Sequence, residues 1–162
     1  MSKHVAKLGI FIALAMIFSY IEVLIPFSFG IPGVKLGIAN IVVVTGLYIL
    51  KPQEVFVISV LRILLMGFLF GNMLTLVYSL AGGILSFVVM LVFKKITLFS
   101  IIGVSAAGGV FHNFGQILMA AFILHNEKIM YYFPVLLVAG VITGILIGFL
   151  SDNIIKALKH YN

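Results

Sequence analysis

Apolar residues run along this chain in long unbroken stretches, separated by short clusters of proline, glycine and charge. Because the stretches are continuous instead of alternating, they read as helices and not as strands of a β-barrel. Six segments result, at about Val5–Ile25, Lys35–Leu50, Glu54–Phe70, Met73–Phe93, Leu98–Leu124 and Met130–Ile155. A membrane span needs about 20 apolar residues. The second and third segments fall short of that, so they are expected to pack within protein or near a thinned interface. Between the first two lies Pro26–Val34 (PFSFGIPGV), with two prolines and two glycines, read as a structured loop. Gly71–Asn72 predicts a tight reversal, and Lys51–Pro52, Lys94–Lys95 and His125–Lys128 close the other segments.

Composition makes this a membrane pattern and not merely an apolar one. Of 162 residues, 64% are hydrophobic and 9% charged, with mean hydropathy +1.34. Soluble domains are about 45–50% apolar and about 25% charged, and a soluble fold of this length needs far more polar surface. The expectation is an all-α integral membrane protein, a compact bundle of six transmembrane helices forming one transmembrane domain over residues 1–162. The basic N-terminal flank resembles a signal peptide, yet no small-residue cleavage site and soluble domain follow, so the first helix is expected to be retained.

The net charge of +6 sits at the ends of apolar runs and not in a patch, which reads as topology and lipid contact, not as a nucleic-acid surface. With the N-terminus inside, Lys3, Lys7, Lys51, Lys94, Lys95, Lys156 and Lys159 fall inside, against Lys35 and Lys128 outside. That bias predicts both termini cytoplasmic.

Polar groups within the apolar runs are the candidate chemistry, since hydrocarbon offers them no water. Arg62, within the third segment, needs a partner or a wet cavity. It either pairs with Glu22 to order the bundle or contacts an anion, whose geometry a guanidinium matches. Glu22 is the acidic residue well inside an apolar run, near the outer end of the first helix, where interfacial exposure is the alternative. Lys35 follows the Pro/Gly loop and either snorkels to headgroups or meets a ligand. His112, Asn113 and Gln116, in HNFGQ, place Gln116 on a face shared with both neighbours, a cluster that wants a polar ligand or other helices. Asn40 and Asn72 are further candidate contacts, although for Asn72 the turn itself suffices. A substrate with an anionic or polar head and an apolar part would suit these groups. The fifteen phenylalanines fit a ring pocket or ordinary packing.

Small residues form a second pattern. Gly140, Gly144 and Gly148 recur every fourth position, as do Ser79 with Gly83, Gly82 with Ser86 and Gly9 with Ala13. Such spacing allows close helix approach in lipid, either within this chain or against a partner. No internal repeat is evident, which argues against carriers built from paired repeats. With no cysteine, thiolate metal sites and disulfides are excluded, and the histidine spacing holds no HExxH metal pattern. There is no GxxxxGK[ST] loop, no GxSxG elbow and one aspartate, Asp152. Catalytic and metal sites are therefore not expected in this chain.

The segments PGVKLGIAN (Pro32–Asn40), RILLMGFLFGN (Arg62–Asn72), SLAGGILS (Ser79–Ser86) and GGVFHNFGQ (Gly108–Gln116) resemble, in order and over nearly the whole chain, the Gx transporter family. Its members often carry the label heptaprenyl diphosphate synthase component I. That family is similar to the substrate-binding S components of energy-coupling factor (ECF) importers. The resemblance implies a six-helix subunit of the bacterial cytoplasmic membrane that captures a small metabolite from outside. It also implies a transmembrane coupling protein and two ATPase subunits as partners, the ATP being used by them, with no cofactor in this chain. The loop between the first two helices, here Pro26–Val34, would cover the site. The AxxxA docking surface of such proteins is represented by Gly9 and Ala13. The alternative is a non-catalytic membrane accessory subunit of an isoprenoid synthase. A self-sufficient channel or carrier is a weaker third reading, with no charge-lined path evident in the sequence.

Overall fold

A computed structural model describes residues 2–24, 37–96 and 98–160, with side chains from His4 onward. The Pro26–Val34 loop and Lys35 lie outside the described residues. The described chain forms α1 (Ser2–Leu24), α2 (Asn40–Ile49), α3 (Pro52–Phe70), α4 (Met73–Lys95), α5 (Ile101–Ile123) and α6 (Phe133–His160), with a 3-10 turn at Glu127–Tyr132 before α6. Several boundaries have a local cause. Pro52 opens α3, where its missing N–H would have had no helical partner anyway, and Glu54 Oε2 accepts the Lys51 N–H at 3.1 Å. At α4, Asn72 Oδ1 accepts from the Thr75 N–H at 2.9 Å while Thr75 Oγ1 accepts from the Asn72 N–H at 3.0 Å, a reciprocal cap. Ser100 Oγ caps α5 by accepting from the Gly103 N–H, so this helix begins three residues later than the apolar run. At its far end α6 continues past Ile155 to His160, helped by a 2.7 Å pair between Lys156 and Asp152 one turn apart.

Five helices, all but α2, are long and apolar enough to cross a membrane. The second segment is the correction to the sequence pattern, which gave a span from Lys35. Only ten residues are helical, about 15 Å or half a hydrocarbon core. Gly37, at φ +72°, turns the backbone just before the helix. All residues from Ile41 to Leu47 are buried, so α2 is sheathed by protein and does not face lipid. Lys94 ties its end to α4 by donating to the Leu47 carbonyl and lying over the Tyr48 ring. The Ser151 hydroxyl reaches the Ile41 carbonyl from α6. The main core joins Val43, Val44 and Leu47 of α2 to Val55, Phe87, Met90, Val104 and Ile147.

Two contacts set the direction of α1 and α3. His4 meets Glu54 at 3.0 Å near their N-termini, and Ser19 meets Arg62 at 3.2 Å further along, so the two helices run parallel. The chain between them therefore returns across the bundle, and α3 to α6 then alternate. Both termini consequently lie at one end, shared by Lys51, Lys94, Lys95, Lys156 and Lys159. This is the end expected to face the cytoplasm. Cysteines introduced singly at Ser2 and His160 should resist impermeant maleimide in intact cells, while one at Glu127 should react; rapid labelling at either terminus would reverse the assignment.

The glycine repeat of α6 is consumed inside the chain. A Cβ on Gly144 would stand 2.6 Å from Ala106 Cα, one on Gly148 2.7 Å from Ile102 Cα, and one on Gly140 2.9 Å from the Gly109 carbonyl carbon. The α6 backbone thus lies directly on that of α5. On α4, Gly82 meets α5 at His112 and Gln116 in the same manner. Gly9 is different: it is exposed, a Cβ there would meet nothing within 4 Å, and Ala13 is exposed beside it.

Candidate functional site

α1, α3, α4 and α5, with Gly37 ahead of α2, line a partly open cavity of about 70 Å³ in the half of the bundle away from the termini. Its polar lining comes from Ser19, Glu22, Arg62, Thr75, Ser79 and His112, and its apolar lining includes Ile63, Met66, Phe70 and Leu76. A water molecule requires roughly 10–15 Å³ on this scale, so several waters or a small organic group fit.

Arg62 is the dominant charge. It is 9% exposed, its Nη1 donates to Ser19 Oγ at 3.2 Å, and its Nε is buried with no partner among the described residues. Glu22 lines the same cavity and acts on Arg62 coulombically. Its Oε1 accepts the Ile38 N–H at 2.7 Å, fixing the chain just ahead of α2. The described ion pairs, His4–Glu54 and Lys156–Asp152, do not join Arg62 to Glu22. The two residues therefore sense each other across the cavity wall without a direct contact, and Arg62 keeps donor capacity to spare.

Of the residues singled out from sequence, Glu22, Arg62 and His112 come together here. The HNFGQ cluster divides. His112 and Gln116, one turn apart, both face α4 at Gly82, with Gln116 packed into that seam. Asn113, about 100° further round the helix, is buried instead against α6, where its Nδ2 donates to the Leu136 carbonyl at 2.8 Å. Asn72 is spent on the α4 cap, and Asn40 sits beside Gly37 at the start of α2. Ser19, Thr75, Ser79, Met66 and Phe70 were not legible as lining. Ser19 had one readable signal, its place one turn before Glu22 on the same face of α1. Met66, Phe70 and Ser79 fall within the family-like segments RILLMGFLFGN and SLAGGILS but were not singled out as lining, and Thr75 sits in the first turn of α4. No group of three or more His, Asp or Glu residues poised for a metal occurs among the described residues.

The family model for heptaprenyl diphosphate synthase component I matches residues 11–154, spanning every helix that builds the cavity. The chain belongs to that family. No curated protein and no solved structure matches it. This member of the component I family is accordingly a multi-pass helical membrane protein, its cavity lying wholly within the matched residues.

Proposed function

We propose that the protein is the substrate-binding membrane subunit of an ECF-type importer in the cytoplasmic membrane, taking a small metabolite from outside. One observation carries the reading: a cavity in the half of the bundle away from the termini holds a buried arginine with an unused donor. A buried cation at membrane depth costs about 2.5–3.5 kcal/mol on insertion scales, and such residues characteristically mark ligand or ion pathways. The exposed Gly9 and Ala13 on α1 supply a smooth outward surface for a coupling protein, and two ATPase subunits would complete the assembly. The chain itself contributes no catalysis on this reading. Its one aspartate, Asp152, is paired with Lys156 at the terminal end, remote from the cavity, and cannot hold magnesium and a diphosphate there.

The family's description as heptaprenyl diphosphate synthase component I favours a second reading, a membrane accessory subunit of an isoprenoid synthase. Affinity purification of the tagged chain from its own host in mild detergent separates the two: ATPases should copurify, whereas a soluble prenyl synthase would establish the alternative. Gly9→Leu should leave the chain folded, since nothing stands within 4 Å of that position, yet strip the ATPases from the purified complex. Retention of the full complex by this variant would remove α1 as the docking face.

A further inference from the structure

The unused part of the Arg62 guanidinium carries information about what it meets. Among the described residues its hydrogen bonding is a single donation from Nη1 to Ser19. The opposite edge, Nε–H with Nη2–H, is left over; Nε is closed off from water and from the cavity alike, so an acceptor reaches it only once the guanidinium or its neighbours shift. A buried donor without an acceptor is destabilising, by about 1–3 kcal/mol or more when charged, unless an acceptor arrives. That edge is a planar two-donor fork whose spacing matches two oxygens on one carbon or one phosphorus.

We infer that the cavity takes a small monocarboxylate with an apolar body, seated on the Nε/Nη2 edge of Arg62. Three observations choose this class over a phosphoanion. Arg62 is the sole arginine of the chain and brings one positive charge to this wall. A monocarboxylate is neutralised by it one for one, whereas a phosphate or diphosphate brings surplus negative charge into a region of low dielectric. Glu22, acting coulombically on the same guanidinium, raises the cost of each further negative charge, which favours the anion carrying the fewest. Among the described residues the remaining lining, with Ile63, Met66, Phe70 and Leu76, offers apolar surface and no further lysine or arginine. At about 70 Å³ the cavity also matches a compact ligand and not a heptaprenyl chain with its diphosphate.

The inference rests on the substrate-binding reading, but its test is independent of the importer. A sole arginine gives a single Nε–Hε resonance in protein labelled with 15N-arginine, reporting directly on this edge. The purified chain in nanodiscs is titrated with sodium benzoate, with benzamide as the neutral analogue, and with phosphate and pyrophosphate, all at constant ionic strength. Benzoate at millimolar concentration should shift the resonance downfield and saturably, while the other three move it at least about tenfold less at equal concentration. Arg62→Lys keeps the charge without the fork and should weaken benzoate binding by about tenfold in calorimetry. An unmoved resonance overturns the inference, as does a larger response to phosphate or pyrophosphate. A benzoate response in a chain that recruits no ATPase would sink the importer and leave the carboxylate site standing. Copurifying ATPases with no benzoate response would do the reverse.

Discussion

Replacing Gly144 by leucine should abolish the folded bundle, with little protein recovered in detergent. At this point the α5 and α6 backbones touch: a Cβ would fall 2.6 Å from Ala106 Cα and 2.8 Å from the Ser105 carbonyl oxygen. Neither atom belongs to a side chain that can rotate away, so the helices must separate. Separation breaks the whole seam, because Gly109 against Gly140 and Gly148 against Ile102 depend on the same spacing. It also draws Leu136 away from Asn113, leaving a polar group without its partner at membrane depth. Overpacking in a close-packed interior costs about 1–3 kcal/mol per site and occasionally more; leucine here should exceed about 3 kcal/mol, comparable to much of a domain's stability. Gly9→Leu is the control, the same change on an open face of α1. Thermal unfolding of both variants by tyrosine fluorescence or circular dichroism, together with detergent-soluble yield, decides the matter. Equal stability of the two would mean that α5 and α6 do not pack on this seam.

The contrast between these glycines shows what one sequence can and cannot carry. Helix number and several ends were readable because proline, glycine and turn residues act locally, as at Pro52 and Asn72, whereas the Ser100 cap, unread in the sequence, starts α5 three residues after the apolar run. The repeat at Gly140, Gly144 and Gly148 announced close approach but not its partner, since small spacing is the same for α5 and for another protein. The second helix was overdrawn because apolarity cannot separate a span from a short buried helix. Its sheath is built by Phe87, Val104 and Ile147, far off in sequence. In the cavity, charge made Arg62 and Glu22 conspicuous, and their common lining role follows from α1 running parallel to α3. By contrast, Asn113 left the group because one residue step on a helix changes the facing neighbour from α4 to α6. Ser79 was marked only as a small residue and Met66 only as part of an apolar segment; nothing in either pattern pointed to the cavity, for their role is positional.

Arg62→Ala is expected to remove bound small molecule while leaving the fold nearly intact. The guanidinium's one described protein bond goes to a neutral hydroxyl, a contact worth about 1.5–3 kcal/mol gross because the donor is charged. Against that stands the cost of keeping a cation with an orphaned Nε in the bundle interior, and this cost vanishes with the side chain. The two effects oppose, so the midpoint of thermal unfolding should move by only a few degrees, about 1 kcal/mol or less. Ligand binding has no such compensation. Losing a charge-assisted bond of about 1.5–3 kcal/mol lowers affinity by about 10- to 100-fold, and mass spectrometry of small molecules released from gently purified protein should show the loss. Gln116→Leu serves as comparison: its side chain packs on Gly82 in the α4–α5 seam, so retention of ligand should be nearly normal. The competing view makes Arg62 a structural cation, coupled across the wall to Glu22. It requires Arg62→Ala and Glu22→Gln to lose stability together and by similar amounts, because each removes one side of the same coulombic attraction. Full ligand retention in a stable Arg62→Ala protein would remove the arginine from the site altogether, whereas a parallel collapse of both variants would make it a strut of the bundle.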